Sequence, residues 1–303
     1  MSEDQQYRLG VDVGGTFTDF VLLDENDNQI HIAKSLTTPA DPSVGILTGV
    51  KAFDGRCPDH VSATRRFAHA TTLVANSVIE RKGAVTALLT TKGFRDVLEL
   101  RRHVRVTTYE LFSDPPPPLA PRWLRLPVDE RVFSDGNILK PVNRADIEHA
   151  VEVMRAEGVT SVAIAFLHAY VNPANERAAA EILQELAPEI AVTLSSDVLP
   201  QIKEFERTST TVVNAYVKPL AQHYLANLDQ GLNDAGYSAP LHIMLSNGGL
   251  GSTKTAGDFP IRLIESGPVA GAIVGRQLAE LMNIQDVLSF DMGGTTAKAC
   301  LIR

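Results

Sequence analysis

Two stretches of the chain, LGVDVGGTFTDFVLLD (Leu9 to Asp24) and LSFDMGGTTAKACLIR (Leu288 to Arg303), carry Asp, Gly, Gly and Thr in the same register between apolar flanks. Consecutive glycines let backbone N–H groups approach an anionic oxygen with no Cβ in the way, and threonine hydroxyls add donors. This chemistry suits phosphate. An aspartate beside a polyphosphate feels a repulsion of about 4 kcal/mol per unit-charge pair at 4 Å and an effective dielectric near 20, so it requires a cation. Mg²⁺ fits, because it keeps several waters while bridging phosphate oxygens to one or two carboxylates. The pattern predicts Asp12 and Asp291 as the metal-holding and water-positioning catalytic pair. Gly14, Gly15, Thr16 and Thr18 with Gly293, Gly294, Thr295 and Thr296 form the expected phosphate cradle. A single copy reads as well as a tight turn. Two matched copies nearly a chain length apart are not a solenoid repeat and point to two related lobes with the ligand between them.

The elements that must position these residues are legible in part. Leu9 to Val13 and Thr18 to Leu23 read as a hairpin whose glycine tip calls for positive φ. Asn143 caps a predicted helix with Ile147, Ala150, Val151 and Met154 at helical spacing, and Gly158 ends it. A strand at 159–167 follows, then a helix from Asn172-Pro173 to Leu186, a strand at 190–194, a long helical stretch after Arg207 kinked at Pro219, and a strand at 241–245. This alternation predicts an α/β layer architecture. The segment from Thr107 to about Glu130, with Pro115 to Pro118, Pro121 and Pro127, reads as a surface excursion, because proline withholds the donors a helix or central strand needs. Asp24, Asn26 and Asn28 echo a calcium loop but lack its glycine and glutamate, so a hairpin turn explains them.

Composition narrows the class. With 303 residues, 44% of them hydrophobic, the chain can bury a core for one domain plus part of another. A net charge of −8 argues against a nucleic-acid partner. Two distant cysteines, Cys57 and Cys300, cannot build a disulfide framework or a zinc site, which favours the cytoplasm. The polar start, MSEDQQYRLG, and the absence of a membrane-length apolar run argue against secretion and membrane insertion.

The paired loops look like the phosphate hairpins of the sugar kinase, Hsp70 and actin superfamily, in which ATP and a divalent metal lie between ribonuclease-H-like lobes. HATTLVANSVIERKGA (His69 to Ala84), TTKGFRDVLELRR (Thr90 to Arg102), FERTSTTVVNAYVKPL (Phe205 to Leu220), MLSNGG (Met244 to Gly249) and ESGPVAGAIVG (Glu265 to Gly275) resemble the hydantoinase A and 5-oxoprolinase family. The resemblance implies an N-terminal domain over 1–200 and the start of a second, hydantoinase A domain over 201–303. It also implies ATP and Mg²⁺ as cofactors, a cyclic amide (hydantoin, 5-oxoproline or another lactam) activated by phosphorylation of its oxygen, and a B-type subunit or fused domain as partner. Family relatives carboxylate ketones, which is the alternative activity. A non-catalytic actin- or Hsp70-like nucleotide-binding protein, or an inactive fragment, is a reading of another class. Because the body of the second lobe falls beyond residue 303 on this resemblance, residues 1–303 alone are expected to bind ATP weakly and turn nothing over.

The resemblance also makes His69 and Thr72 cleft-lining substrate candidates, against a plain capped helix starting at Thr71-Thr72 and finished by Arg81, Lys82 and Gly83. Asn247 and Gly248 follow a strand, a common ligand position in α/β sheets and equally a common turn. Glu206, Arg207, Thr208 and Ser209 read as a helix start. Ser266, Gly267 and Pro268 precede a helix whose small residues permit close packing. Lys298 stands where the family often has an acid, and Ala70 where it often has glycine; Lys298 is either a phosphate neutraliser or a solvated lysine. GGLGSTKT (Gly248 to Thr255) lacks the Gly-Lys-Ser/Thr of a P-loop and is rejected as one, and a glucokinase-type sugar kinase is disfavoured by the missing cysteine-rich zinc motif.

Overall fold

The computed structural model describes residues 6–38, 41–102, 104, 108–110, 112, 115–292 and 297–303. Its strands in chain order are β1 (Tyr7–Val13), β2 (Phe17–Asp24), β3 (Ile30–Leu36), β4 (Thr64–Thr71), β5 (Thr86–Thr91), β6 (Arg125–Val128), β7 (Arg131–Val132), β8 (Ile138–Lys140), β9 (Ser161–Ala165), β10 (Ala191–Leu194), β11 (Leu241–Met244), β12 (Leu250–Ser252), β13 (Val287–Met292) and β14 (Ala297–Ile302). The chain forms two compact units, Met1–Glu80 with Leu220–Arg303, and Arg81–Pro219. Compactness thus divides the chain elsewhere than the sequence division at residue 200.

The first unit is built on a six-stranded sheet of order β12-β11-β4-β1-β2-β3. β1, β2 and β3 form an antiparallel meander, while β4 runs parallel to β1 and β11 parallel to β4. The carboxyl ends of β1, β4 and β11 therefore share one sheet edge. Along β1, Tyr7, Leu9, Val11 and Val13 are buried while Arg8 and Asp12 are exposed, the period-two alternation that sets Asp12 on the face opposite the core. The Asp24 to Gln29 turn is a hairpin connection in which Asp24 Oδ1 accepts from Asn26 N at 2.9 Å and Asp27 Oδ1 from Gln29 N at 2.9 Å. A second hairpin, β13–β14, packs against the Ser266–Met282 helix. The small residues of that helix do permit close approach, since a Cβ on Gly275 would come within 3.2 Å of Ile302 Cδ1.

The second unit carries a four-stranded parallel sheet of order β10-β9-β5-β6. β9 is buried throughout, as expected of a strand covered on both faces. The Arg144–Ala156 helix starts with Asn143 Oδ1 accepting from Ala145 N at 3.1 Å, and the chain leaves it through Gly158 at φ +65°. Its Ile147 and Met154 join Val162, Ile164 and Leu183 in a closed apolar core. One expectation fails here: the proline-rich segment is not an excursion to its end, because Arg125–Val128, Pro127 included, pairs with β5 as β6. β6 is an edge strand, where a missing proline donor is tolerated. The long helix starts at Glu204, before Arg207, and continues to Asp234 with Pro219 inside it.

The carboxyl ends of β5, β9 and β10 converge on buried charge. Glu176, with no exposed surface, accepts from Phe166 N at 3.0 Å, Ser195 Oγ at 2.5 Å and Ser196 N at 2.9 Å. Buried Arg207 donates to Phe166 O at 2.7 Å and Ser195 Oγ at 2.9 Å. Buried Glu130 accepts from Thr91 Oγ1 and, at 2.7 Å, from Asn175 Nδ2. The two carboxyls are pushed above the usual range, chiefly by burial.

Candidate functional site

At the β1 end of that shared edge, the loop of the first hairpin is held by Thr37. Its N–H donates to Thr16 O at 3.0 Å and its hydroxyl to Gly14 O at 2.9 Å. With its proton so used, the Thr37 hydroxyl accepts from Thr18 Oγ1 at 3.0 Å. Thr18 is fully buried on the core face of β2, so it braces the loop from behind and is removed from the expected phosphate cradle. Gly14 is not in the left-handed region, contrary to the expected reason for glycine there. What Gly14 avoids is steric: a Cβ would sit 3.1 Å from Phe17 O, beside the 3.0 Å hydrogen bond from Gly14 N to that carbonyl.

Asp12, Gly14, Gly15 and Thr16 of the first hairpin and Asp291, Met292 and Lys298 of the second line one pocket of about 240 Å³. At roughly 30 Å³ per water, this is room for a phosphate chain and a hydrated cation. The remaining wall comes from Asp19, Lys34, Thr72, Asn76, Gly267 and Pro268. Gly293, Gly294, Thr295 and Thr296, the cradle residues expected from the second hairpin, lie outside the described residues.

Cross-strand register sets the charges. Asp12 opposes Asp19, which opposes Lys34, so the three form a row across β1, β2 and β3. In the second hairpin Asp291 opposes Lys298. Lys34 Nζ bonds Asp19 Oδ1 at 2.8 Å and Lys298 Nζ bonds Glu265 Oε2 at 2.6 Å, so both pocket lysines already have partners. Among the described residues Asp12 and Asp291 have no ion-pair partner. Asp12 is exposed to water, yet the surrounding pocket desolvates its carboxyl. Desolvation first, then the Asp19 and Asp291 carboxylates, push its carboxyl up to about 6 against a smaller opposing pull from Lys298. A carboxylate held in this way gains from a cation.

The structure brings together more than the sequence suggested. The Ser266–Met282 helix points its amino end at the pocket, with Gly267 so close that a Cβ would lie 3.6 Å from Asp12 Oδ1. Ser266 Oγ anchors that end by donating to Thr71 O at 3.2 Å. Free N–H groups at a helix start attract anions, which gives the pocket a second source of positive potential. The sequence marks Ser266, Gly267 and Pro268 only as the break before a helix, and does not single out Asp19, Lys34 or Asn76. The signal for Asp19 was present: it sits as far beyond Asp12 as Lys298 does beyond Asp291.

Of the substrate candidates, Thr72 lines the pocket, its hydroxyl donating to Val13 O at 3.4 Å and accepting from Asn76 Nδ2 at 3.2 Å. It also precedes the Leu73–Ile79 helix, just past whose end Arg81, one of the residues expected to finish it, takes φ +55°. Asn247 and Gly248 stand at the same sheet edge but form the β11–β12 turn. There Gly248 N donates to Leu245 O at 2.9 Å, and φ is +86°, which explains the glycine. They are not part of the pocket wall.

His69 is a core residue, not a cleft residue. It is 1% exposed, its Nδ1 lies 3.3 Å from Val11 O and its Nε2 2.7 Å from Tyr224 Oη. A carbonyl only accepts, so Nδ1 carries the proton and Nε2 accepts from the tyrosine. Burial lowers its pKa to about 4, so the folded state holds it neutral. Stability from this depressed pKa is present above the unfolded value near 6.5 and declines as pH falls towards 4. His69→Ala is expected to cost about 2–3 kcal/mol by urea unfolding, from a cavity and stranded partners.

Comparison with known proteins matches residues 8–187 to the hydantoinase/oxoprolinase N-terminal region and residues 207–303 to hydantoinase/oxoprolinase. The chain belongs to the hydantoinase/oxoprolinase family. Caprolactamase subunit alpha of Pseudomonas jessenii is 36% identical over 298 residues, 96% of this chain and 43% of the relative. The crystal structure of that ATP-dependent caprolactamase superposes with a TM-score of 0.83, at 35% identity over 97% of this chain and 43% of the other. Acetone carboxylase, in a nucleotide-free structure from work on ATP-dependent acetone carboxylation, superposes with a TM-score of 0.88, at 27% identity over 98% of this chain and 44% of the other. A 5-oxoprolinase of Saccharomyces cerevisiae is 31% identical, with 95% of this chain matching 25% of the relative. The chain thus spans less than half the length of these family members. Its α/β architecture is that of the family, consistent with the actin-like fold. No helix among the described residues is long and apolar enough to cross a membrane.

Proposed function

We propose that this chain is the nucleotide-binding part of an ATP-dependent enzyme that opens a cyclic amide by phosphorylating the amide oxygen. The observation that carries the proposal is the meeting of Asp12 and Asp291, from matched hairpins near opposite ends of the sequence, in one pocket. Family membership, and likeness to the ATP-dependent caprolactamase and to 5-oxoprolinase, support the amide class. Mg-ATP would supply the phosphoryl group, whose transfer to the amide oxygen with release of ADP would make the amide carbon more electrophilic and put a leaving group on oxygen.

The residues of this chain fit that role. No cluster of three or more His, Cys, Asp or Glu that could hold a metal is found among the described residues. Two carboxylates on a polar pocket suit Mg²⁺, which retains waters and shares phosphate oxygens. Asp12 and Asp291 would hold the cation and orient water. The N–H groups of Gly14, Gly15 and Thr16 and the start of the Ser266–Met282 helix would face phosphate oxygens. Gly293, Gly294, Thr295 and Thr296 would do so from the second hairpin. Ring opening falls to a B-type subunit or fused domain in this proposal. Two free cysteines, Cys57 and Cys300, fit a reducing cytoplasm.

Acetone carboxylase supports a second proposal, in which the same phosphoryl chemistry serves ATP-dependent ketone carboxylation. The full-length protein with its B-type component separates the two. Lactam-dependent ADP release with formation of the ring-opened amino acid is expected. Ketone consumption that requires bicarbonate, with lactams inert, would select the second proposal. ATP turnover indifferent to both substrate classes would sink the enzymatic reading.

A further inference from the structure

The two hairpins match at Asp12 and Asp291 but differ at the residue opposite each: Asp19 in the first, Lys298 in the second. In the first hairpin the opposing carboxylate is neutralised by Lys34 from the neighbouring strand. The second hairpin brings its own cation. Lys298 lines the pocket with its side chain 22% exposed, and its ammonium is ion-paired with Glu265 Oε2 at 2.6 Å. An ammonium has three donors, more than a single carboxylate oxygen uses.

Glu265 is itself held in an uncommon state. It caps the Ser266–Met282 helix in the left-handed conformation, φ +67° and ψ +17°, where a non-glycine residue is strained and persists only if its surroundings enforce it. The following residue, Ser266, is tied to Thr71 O, and Val269 N donates to Glu265 O at 3.2 Å. The helix start that approaches Asp12 through Gly267 is thus the element that delivers the Glu265 carboxylate to Lys298.

We infer that Lys298 is a phosphate-anchoring residue of the nucleotide site and that Glu265 positions it, the pair supplying from the second hairpin a fixed positive charge that the first hairpin lacks. This rests on the proposed nucleotide site. Lys298 answers the repulsion among Asp12, Asp19, Asp291 and an incoming polyphosphate alongside the metal. Glu265 holds the ammonium by an ion pair and is not among the residues lining the pocket.

The test is calorimetric titration of Mg-ATP into the full-length protein and its Lys298→Met, Lys298→Arg, Glu265→Gln and Asp12→Asn variants, with thermal midpoints recorded in parallel. Lys298→Met should weaken binding by about 10- to 100-fold, the loss of one hydrogen bond to a charged group. Lys298→Arg should restore most of it. Glu265→Gln should weaken binding by a smaller factor, and this factor should vanish when Lys298 is already Met. A Lys298→Met protein that binds within twofold of the parent, while Asp12→Asn has lost binding, overturns the inference and leaves the site proposal standing. Retained binding in both overturns both. If Lys298→Met does not fold, Glu265→Gln with unchanged affinity is the contradicting result.

Discussion

Replacing Asp12 with Asn should lower ATP-dependent turnover of the full-length enzyme by about 100- to 1,000-fold, the scale of losing one preorganised charge-stabilising group, while raising the thermal midpoint of the nucleotide-free protein. The opposite signs have one cause. Desolvation and the Asp19 and Asp291 carboxylates push the Asp12 carboxyl from 3.8 up to about 6, so the folded state disfavours the charge that the metal site needs. A carboxyl raised in this way leaves the fold unpenalised below the unfolded pKa near 4, and stability declines as pH rises towards 6. Above that the penalty is constant. The stabilising effect of Asn should therefore be absent near pH 4, grow to pH 6 and then level off. After discounting for the water that reaches the carboxylate, about 1 kcal/mol is expected at pH 7.5. Thermal unfolding of parent and variant across pH 4–8, run beside steady-state turnover, checks both halves. A variant less stable than the parent at pH 7.5 would show that Asp12 has a structural partner.

The second large effect lies in the other unit. Glu176→Ala should destabilise the protein by about 3–5 kcal/mol, because it removes a carboxylate that favours the charge of buried Arg207 and is linked to it through the Ser195 hydroxyl, and leaves that hydrogen-bond network unsatisfied. Arg207 is 2% exposed, with burial pulling its pKa down and Glu176 first among the groups holding it up. The substitution also strands the N–H groups of Phe166 and Ser196 and the Ser195 hydroxyl. Denaturant unfolding measures the loss. Removing Arg207 as well, as Glu176→Ala with Arg207→Met, should recover part of it, because an apolar side chain tolerates the site better than an orphan guanidinium. A single variant within 1 kcal/mol of the parent would contradict this coupling.

What could be read from the sequence was what is local. Asp12, Gly14, Gly15 and Thr16 are four residues of one hairpin, and Asp291 is recognisable because the hairpin recurs. Asn143, Gly158 and Asn172 mark helix ends through their own backbone and side-chain chemistry, and the structure places them there. Lys34, Asn76 and Gly267 carry no such mark. They reach the pocket through the pairing of β2 with β3, the pairing of β4 with β1, and the packing of a distant helix.

The misreadings have the same origin. His69 is a cleft candidate only through the family resemblance, set against a structural role beside a helix start. Strand alternation and Tyr224, from the Glu204–Asp234 helix, turn it into the core. Thr18 shares its strand with Asp19 but points to the opposite face, so a hydroxyl that the spacing offered to phosphate instead ties down Thr37. Pro127 argued against a strand, and the argument is sound for a central one; only the sheet order makes β6 an edge.

The central claim is that both hairpins contact one metal-bound polyphosphate. The direct measurement is a crystal structure of the full-length protein with Mg²⁺ and a non-hydrolysable ATP analogue. The account predicts the phosphate chain between residues 14–16 and residues 293–296, with the magnesium, or its water shell, touching both Asp12 and Asp291. A nucleotide bound to one hairpin alone, or away from both, would contradict it.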